Sequence, residues 1–176
     1  MTRLVAFLGG INVGGHRVTM DRLRAEFSDI GFTDVETFIA SGNVLFNGSG
    51  AVAGIESRIE QHLGEQLGWA VPTFVRSAPD VTAIVEFADS QPFGQVADDH
   101  THMVVLTRAK IDTQHAAAIA SSSTPDNRFH VQGSVVHWAI AGKLSASVMT
   151  LPKLVKLVGR NTTRNITSLR RLADRL

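Results

Sequence analysis

Apolar residues in the first part of the chain recur with strand-like and helix-like spacing in turn. A run of five apolar residues at 4–8 ends at a glycine pair and predicts a buried strand. Apolar residues at helical spacing predict a helix from about 20 to 30, with Thr19 as its N-cap. A second amphipathic helix is predicted from about 52 to 67.

A hairpin and a further strand complete the pattern of the first 77 residues. Two runs of β-forming residues, 35–40 and 43–46, are separated by Ser41 and Gly42 and predict a hairpin with a two-residue turn. A short strand is predicted over 71–76. The resulting order, β-α-β-β-α-β, is that of a ferredoxin-like unit, because right-handed crossovers return both later strands to one sheet.

The second half of the chain predicts a related arrangement. Residues 78–101 are expected to form a short helix, with Pro79 in its first turn, and a connecting loop. From residue 102 the order β-α-β-β-α recurs, and a closing helix is predicted over 165–176. The predicted fold class is therefore α+β. The predicted divisions are a ferredoxin-like unit at 1–77, the helix and loop at 78–101, and a second α+β unit with basic C-terminal helices at 102–176.

The loop between the first strand and the first helix is rich in glycine. A strand that leads through glycines to a helix N-terminus can present backbone N–H groups to an anion. No standard nucleotide motif is present, since Gly15-His16 stands where a P-loop needs Lys and Ser or Thr. The alternative is that the glycines only permit a tight turn. The ligand-binding residues predicted in this loop are Asn12, Gly14, Gly15, His16 and Arg17.

Two other segments add candidate ligand-binding residues. In a ferredoxin-like sheet the hairpin turn lies at the same end as the glycine-rich loop, so we expect the two turns to converge. Arg164, just before the last predicted helix, has no capping role there and is suited to a phosphate or carboxylate. Asn165 or a neighbouring hydroxyl is also a candidate helix cap. The ligand-binding residues predicted outside the loop are Ser41, Gly42, Asn43, Arg164 and Asn165.

The charge of the chain is unevenly distributed, although its formal net charge is only +1. Residues 143–176 contain eight basic residues and one acidic residue, whereas the rest of the chain has more acidic than basic residues. This asymmetry suggests a polyanionic partner such as a nucleic acid. The alternative is that a basic C-terminal helix packs beside an acidic body.

The composition of the chain indicates the compartment in which the protein is expected. The chain has no cysteine, which excludes disulfides and thiolate chemistry and fits a reducing compartment. No apolar run approaches the roughly 20 residues of a membrane span, and no signal-peptide pattern is visible. We therefore expect a cytoplasmic protein without a membrane partner. Trp69 and Trp138 stand in apolar surroundings and are expected in the core.

No residue pattern identifies a catalytic or metal centre. His100 and His102 share a predicted strand face, and His130 and His137 face one another across a predicted hairpin. Neither pair has a third ligand at a recognisable spacing, so no metal is predicted, and no cofactor is predicted either. The catalytic motifs G-x-S-x-G and H-E-x-x-H are absent.

Three stretches together resemble the DUF1697 family of uncharacterised bacterial proteins. These are residues 7–15 (FLGGINVGG), 37–46 (TFIASGNVLF) and 162–165 (TTRN). The resemblance implies an α+β fold with ferredoxin-like character and brings no established reaction. This sequence departs from the family pattern at Gly9, where an arginine is common, and at Ile166, where an aromatic residue is usual.

The sequence leaves three functional hypotheses. The first is a protein that binds a phosphate-bearing small molecule or a nucleic acid at the sheet end, where Arg164→Ala would lower affinity without unfolding the chain. The second is an enzyme that acts on a small anionic metabolite, with His16 as acid or base. The third is a structural or oligomeric interaction module. The oligomeric state is left open.

Overall fold

A computed structural model describes residues 1–40, 42–94, 100–142 and 151–176. The chain divides into two compact units, Met1–Val81 together with Leu176, and Thr82–Arg175. The first unit contains β1 (Thr2–Leu8), α1 (Met20–Asp29), β2 (Thr33–Phe38), β3 (Asn43–Gly48), α2 (Val52–Leu67) and β4 (Thr73–Ser77). The boundary lies within α3 (Ala78–Asp89), and the second unit continues with β5 (His100–Thr107), α4 (Thr113–Ser121), β6 (Asn127–Gln132), β7 (Val135–Ala141), α5 (Leu151–Val158), β8 (Asn161–Asn165) and α6 (Ile166–Ala173).

The first unit has the predicted ferredoxin-like topology. Its four strands form one antiparallel sheet in the order β2-β3-β1-β4. Helices α1 and α2 contribute Leu23, Phe27, Ile59 and Leu63 to a core that also contains Phe46 of β3. The predicted cap of α1 is confirmed as well, since the side chain of Thr19 accepts a hydrogen bond from the backbone of Arg22.

Two glutamates of α2 bind the backbone of β4, which is an edge strand. Glu56 Oε1 accepts a hydrogen bond of 2.9 Å from Val75 N, and Glu60 Oε1 accepts one of 2.8 Å from Thr73 N. The two acceptors are four positions apart on the helix and therefore project from one side of it. The two donors are two positions apart on the strand, so their N–H groups point to the same side. Helix α2 thus satisfies backbone groups that the sheet leaves unpaired.

The hairpin differs from its prediction. Strand β2 ends at Phe38, which pairs with Asn43, so the connecting loop spans the four positions 39–42 instead of two. Ile39 has a φ of +50° and is exposed, which ends the strand before the predicted residue 40. Isoleucine is β-branched, so it is common in strands and rarely has a positive φ. The residue type at position 39 therefore indicated a strand. Ser41 lies outside the residues that the structure describes.

The second unit repeats the topology of the first and contains a strand that the sequence pattern missed. Its sheet has the order β6-β7-β5-β8, and β8 pairs antiparallel with β5. The prediction of this unit as βαββα, with no strand before the last helix, is therefore wrong. Strand β8 is polar throughout, and it buries Thr162 and Arg164 where an apolar alternation would be expected.

The core of the second unit lies between its helices and one face of its sheet. Trp138 is fully buried there, as predicted, among Val105, Ile119 and Leu154. Its indole Nε1 donates a hydrogen bond of 3.0 Å to Asn127 Oδ1, which satisfies the polar end of the ring. In the part of the chain that the structure describes, no helix combines the length and the apolar character needed to cross a membrane.

Candidate functional site

The side chain of Asn12 fixes the glycine-rich loop at two points. Its Nδ2 donates a hydrogen bond of 3.1 Å to Ala40 O in the hairpin loop, and its Oδ1 accepts one of 3.0 Å from Val18 N. Val18 directly precedes Thr19, the cap of α1. Asn12 has a φ of +57°, a conformation that asparagine tolerates better than most residues. One amide group therefore ties the loop to the hairpin and to the start of the helix.

The predicted convergence of the two loops is confirmed. Leu8 N donates a hydrogen bond of 2.8 Å to Gly42 O. A Cβ atom on Gly42 would lie only 3.1 Å from Ile11 Cβ and 3.2 Å from Leu8 Cβ, and φ is +74° there. Glycine is therefore needed at position 42 for two reasons: it permits the close approach of two segments of the chain, and it permits the positive φ.

The next residues of the loop are exposed. Gly14 and Gly15 have φ values of +57° and +90°, and a Cβ atom on either would meet open space. His16 and Arg17 are exposed too, and His16 N closes a short turn by donating to Val13 O. Arg17 has no ion-pair partner among the residues that the structure describes. These four residues form the exposed loop segment (residues 14–17).

An aromatic contact lies beside the exposed loop segment. The rings of His16 and Trp69 have their centroids 4.5 Å apart. Trp69 is half-buried and packs against the core of the first unit, so the expectation that it lies in the core is confirmed in part. Its indole Nε1 is shielded from solvent and has no hydrogen-bond acceptor in the described part of the chain. A buried indole donor without an acceptor is unusual in a native protein. Sequence reasoning missed this contact because no helical or strand spacing relates positions 16 and 69.

The predicted ligand-binding residue Asn43 has a structural environment. It is buried at the start of β3, and its Nδ2 donates a hydrogen bond of 3.3 Å to Phe38 O across the hairpin. This contact closes the four-residue loop between β2 and β3. Asn43 and Asn12 therefore shape the two loops through their own amide groups, and the exposed loop segment is among the parts of these loops that face solvent.

Arg164 and Asn165 belong to the second unit, where both have internal partners. Arg164 is buried in β8, and its Nη1 donates hydrogen bonds of 2.7 Å to Thr162 Oγ1 and 2.9 Å to Thr163 O. Burial lowers the pKa of the Arg164 guanidinium to about 10, so it stays charged at neutral pH. Asn165 caps α6 by accepting a hydrogen bond of 2.8 Å from Thr167 N. Arg164 therefore has no capping role, as the sequence predicted, but it has a structural role in β8 that the sequence did not indicate.

A group of imidazole and phenyl rings lies in the second unit. His102 Nε2 and His137 Nδ1 are 3.0 Å apart, and His130 pairs with His137 across the β6–β7 hairpin as predicted. Phe87 of α3 contacts both His130 and His137, with ring centroids 4.7 Å away in each case. The close pair is His102 with His137, which the sequence did not indicate because it joins β5 to β7 diagonally.

Burial determines the charge of these two histidines. It lowers the pKa of His102 to about 4, with the positive charge of Arg170 as a further cause, against an opposing effect of Asp89. It lowers the pKa of His137 to about 3, with His102 and His130 adding to the effect. Both imidazoles are therefore neutral at pH 7. His137 Nε2 is buried and has no hydrogen-bond partner in the described part of the chain.

One group of side chains has the composition of a metal ligand set. Atoms of Glu26, Asp29 and His62 lie within 4.8 Å of one another between α1 and α2. The carboxylate of Glu26 is already engaged, since it accepts hydrogen bonds from Arg22 and, over 2.6 Å, from His62 Nε2. This arrangement satisfies a buried carboxylate without an ion.

Together these features define a protein with two ferredoxin-like α+β units, the first of which holds a glycine-rich loop at one end of its sheet. Residues 1–137 match the family model described as "Protein of unknown function (DUF1697)", and the chain belongs to that family. This confirms the resemblance seen in the sequence. The match ends before 162–165, the third stretch on which the resemblance rests.

The chain is similar over its whole length to a solved structure. It is that of the conserved bacterial protein SP0830 from Streptococcus pneumoniae, with a TM-score of 0.77 and 23% sequence identity. The similarity covers 100% of this chain and 98% of that one. At this level of identity the similarity shows a shared fold alone. No curated protein matches the chain.

Proposed function

We propose that this protein binds a phosphate-bearing ligand, a nucleotide or a nucleic acid, at the exposed loop segment of the first unit. The observation that carries the proposal is the double hydrogen bond of Asn12. It holds the loop to Ala40 and Val18 while residues 14–17 remain exposed. A loop fixed in this way loses little conformational entropy when it binds a ligand, which lowers the free-energy cost of association.

The chemistry of the exposed loop segment suits an anion. Gly14 and Gly15 place no side chain between their backbone and a ligand, so a phosphate can approach the N–H groups closely. Arg17 adds a guanidinium group, whose fork of donors matches phosphate oxygens. No acidic residue occurs between 9 and 20 to oppose the approach of an anion.

The His16–Trp69 contact favours a ligand that carries a base as well as a phosphate. Nucleic-acid-binding proteins commonly stack bases on aromatic side chains, next to cationic groups that follow the backbone. Asn12, Gly42 and Asn43 contribute by shaping the loops. Arg164 and Asn165 are not part of the proposal, because their side chains serve the second unit.

Tryptophan fluorescence tests the proposal directly, since the chain has only two tryptophans. Titration with adenosine monophosphate, a short single-stranded RNA and inorganic phosphate is expected to change the emission of Trp69. Trp138 is fully buried in the second unit, so the Trp69→Phe variant is expected to give no response. Affinity is expected to fall with added salt and to drop by about tenfold in Arg17→Ala.

The three probes separate the possible ligands. A response to adenosine monophosphate at lower concentration than to inorganic phosphate supports a nucleotide, and a far stronger response to RNA supports a nucleic acid. A response that Arg17→Ala leaves unchanged contradicts the proposal. The absence of any response to all three probes at low salt also contradicts it.

A further inference from the structure

A groove in the second unit lies apart from the glycine-rich loop in sequence and in chemistry. Its volume is about 460 Å³, within the range of roughly 300–1,000 Å³ typical of small-molecule sites. It lies between the segment after α3 and the turn before β6. The seven described residues that line it include no acid, and they are Pro92, Phe93, Ser123, Thr124, Pro125, Arg128 and Phe129. We call it the Phe93 groove.

Hydrogen bonds fix each of the two walls of the Phe93 groove. Arg128 Nη1 donates a hydrogen bond of 2.8 Å to Phe93 O, which joins the first wall to β6. The second wall is a tight turn in which Thr124 N donates to Asn127 O over 2.7 Å and Asn127 N donates to Thr124 O over 3.2 Å. The groove is therefore formed before any ligand arrives.

The polar side chains of the Phe93 groove, Ser123, Thr124 and Arg128, have hydrogen-bond donors available for a ligand. Ser123 Oγ already accepts from Phe129 N over 3.1 Å, and Thr124 Oγ1 accepts from Asn127 N over 3.1 Å. Each hydroxyl keeps its own proton for another acceptor. The guanidinium of Arg128 carries donors and a positive charge but no acceptor. A carboxylate is the group that satisfies such a set of donors.

The other lining residues are Pro92, Phe93, Pro125 and Phe129. Phe129 is buried in the core beside the ring of Trp138, so Phe93 and the two prolines offer the flat apolar surfaces. Phe93 is further fixed by the ring of His102, whose centroid is 5.2 Å away in an edge-to-face arrangement. We propose that the Phe93 groove binds a small organic acid, with a flat apolar body against Phe93 and the prolines and a carboxylate at Arg128 and the two hydroxyls. This proposal is independent of the one for the exposed loop segment.

Two matched probes test the charge requirement. We expect 2-naphthylacetate to shift the backbone amide resonances of residues 93, 123, 124 and 126–129 of the ¹⁵N-labelled full chain saturably, without shifting those of 14–17. The neutral 2-naphthylacetamide is expected to bind about tenfold more weakly, since it lacks the charge that pairs with Arg128. Equal affinity for both probes overturns the proposal, as does binding of inorganic phosphate to the same amides as tightly as 2-naphthylacetate.

Two variants test the assignment to residues. Arg128→Gln is expected to weaken 2-naphthylacetate binding about tenfold, whereas Arg108→Gln, at an exposed arginine after β5, leaves it unchanged. Arg128→Gln also removes the hydrogen bond to Phe93 O, so a second variant is needed. Phe93→Leu changes only the side chain and keeps the hydrogen bond between Arg128 and the backbone oxygen of residue 93. It is expected to weaken the binding several-fold through loss of the flat ring. Wild-type affinity in both Arg128→Gln and Phe93→Leu overturns the proposal.

Discussion

Asn12 Nδ2 donates a hydrogen bond to Ala40 O, although the two residues are 28 positions apart in the chain. The same side chain accepts from Val18 N, so one amide joins the loop after β1 to the hairpin and to the start of α1. The shape of the exposed loop segment therefore depends on a single residue that does not itself need to touch a ligand.

Asn12→Ala is expected to lower the free energy of unfolding by about 2 kcal/mol, because it leaves both Ala40 O and Val18 N without their partner and places alanine at positive φ. Urea denaturation measures the change. Asn12→Gly is the matched control: it also removes both hydrogen bonds but accommodates the positive φ without strain, so a smaller loss is expected. A change below about 0.5 kcal/mol in Asn12→Ala contradicts this role.

The glycines of the two loops are expected to differ in their tolerance of a methyl group. Gly14→Ala carries only the cost of positive φ, about 1 kcal/mol, because nothing lies near its Cβ position. Gly42→Ala adds a contact with Ile11 and Leu8 that is tighter than ordinary packing, so a loss of about 2–3 kcal/mol is expected. Thermal and urea unfolding of the two variants compare them. Equal losses contradict the close approach at Gly42.

Stability is expected to fall on acidification because of His102 and His137. In the unfolded chain both titrate near pH 6.5, whereas the folded chain keeps them neutral down to about pH 4 and 3. Below pH 6.5 the unfolded state therefore binds protons that the folded state excludes, and above pH 6.5 neither state does. The loss is at most about 1.4 kcal/mol per pH unit for each histidine.

The variant His102→Gln with His137→Gln isolates this effect from the other titrating groups. We expect the difference in unfolding free energy between wild type and variant to change between pH 6.5 and 4 and to stay constant from pH 7 to 8. Denaturant unfolding at a series of pH values measures it. A constant difference over the whole range contradicts the inferred protonation states.

Arg164→Ala is expected to destabilise the second unit, in contrast to the role in ligand binding that the sequence suggested. The variant opens a void in a buried position and removes the donors to Thr162 and Thr163, for a loss of about 2 kcal/mol. Arg164→Met retains much of the volume and is expected to lose less. If Arg164→Ala keeps its stability in thermal unfolding and loses affinity for adenosine monophosphate, the sequence-based role is correct.

The sequence predicted the elements whose burial depends on apolar side chains. Leu4–Leu8 and the helices α1 and α2 follow regular hydrophobic spacing, and their topology was enough to bring the two loops of the first unit together. Strand β8 escaped prediction because its buried residues are Thr162 and Arg164, and its position is fixed by pairing with β5. Backbone pairing between distant segments leaves no periodic signal of its own in a polar stretch.

The candidate site shows where prediction from sequence stops. The sequence located the loop residues Asn12, His16 and Arg17, but not which of them face solvent. Hydrogen bonds that use both ends of the Asn12 amide depend on the three-dimensional course of the hairpin. The His16–Trp69 contact depends likewise on where α2 ends. Topology brings segments together, whereas side-chain direction decides which groups remain available.

The glutamates of α2 have a consequence for how this protein behaves at high concentration. An open strand edge attracts strands from other molecules and can seed aggregation. At the outer edge of β4, an incoming chain would have to displace the carboxylates of Glu56 and Glu60 before pairing with Val75 or Thr73. The helix therefore blocks intermolecular growth of the first sheet at this edge.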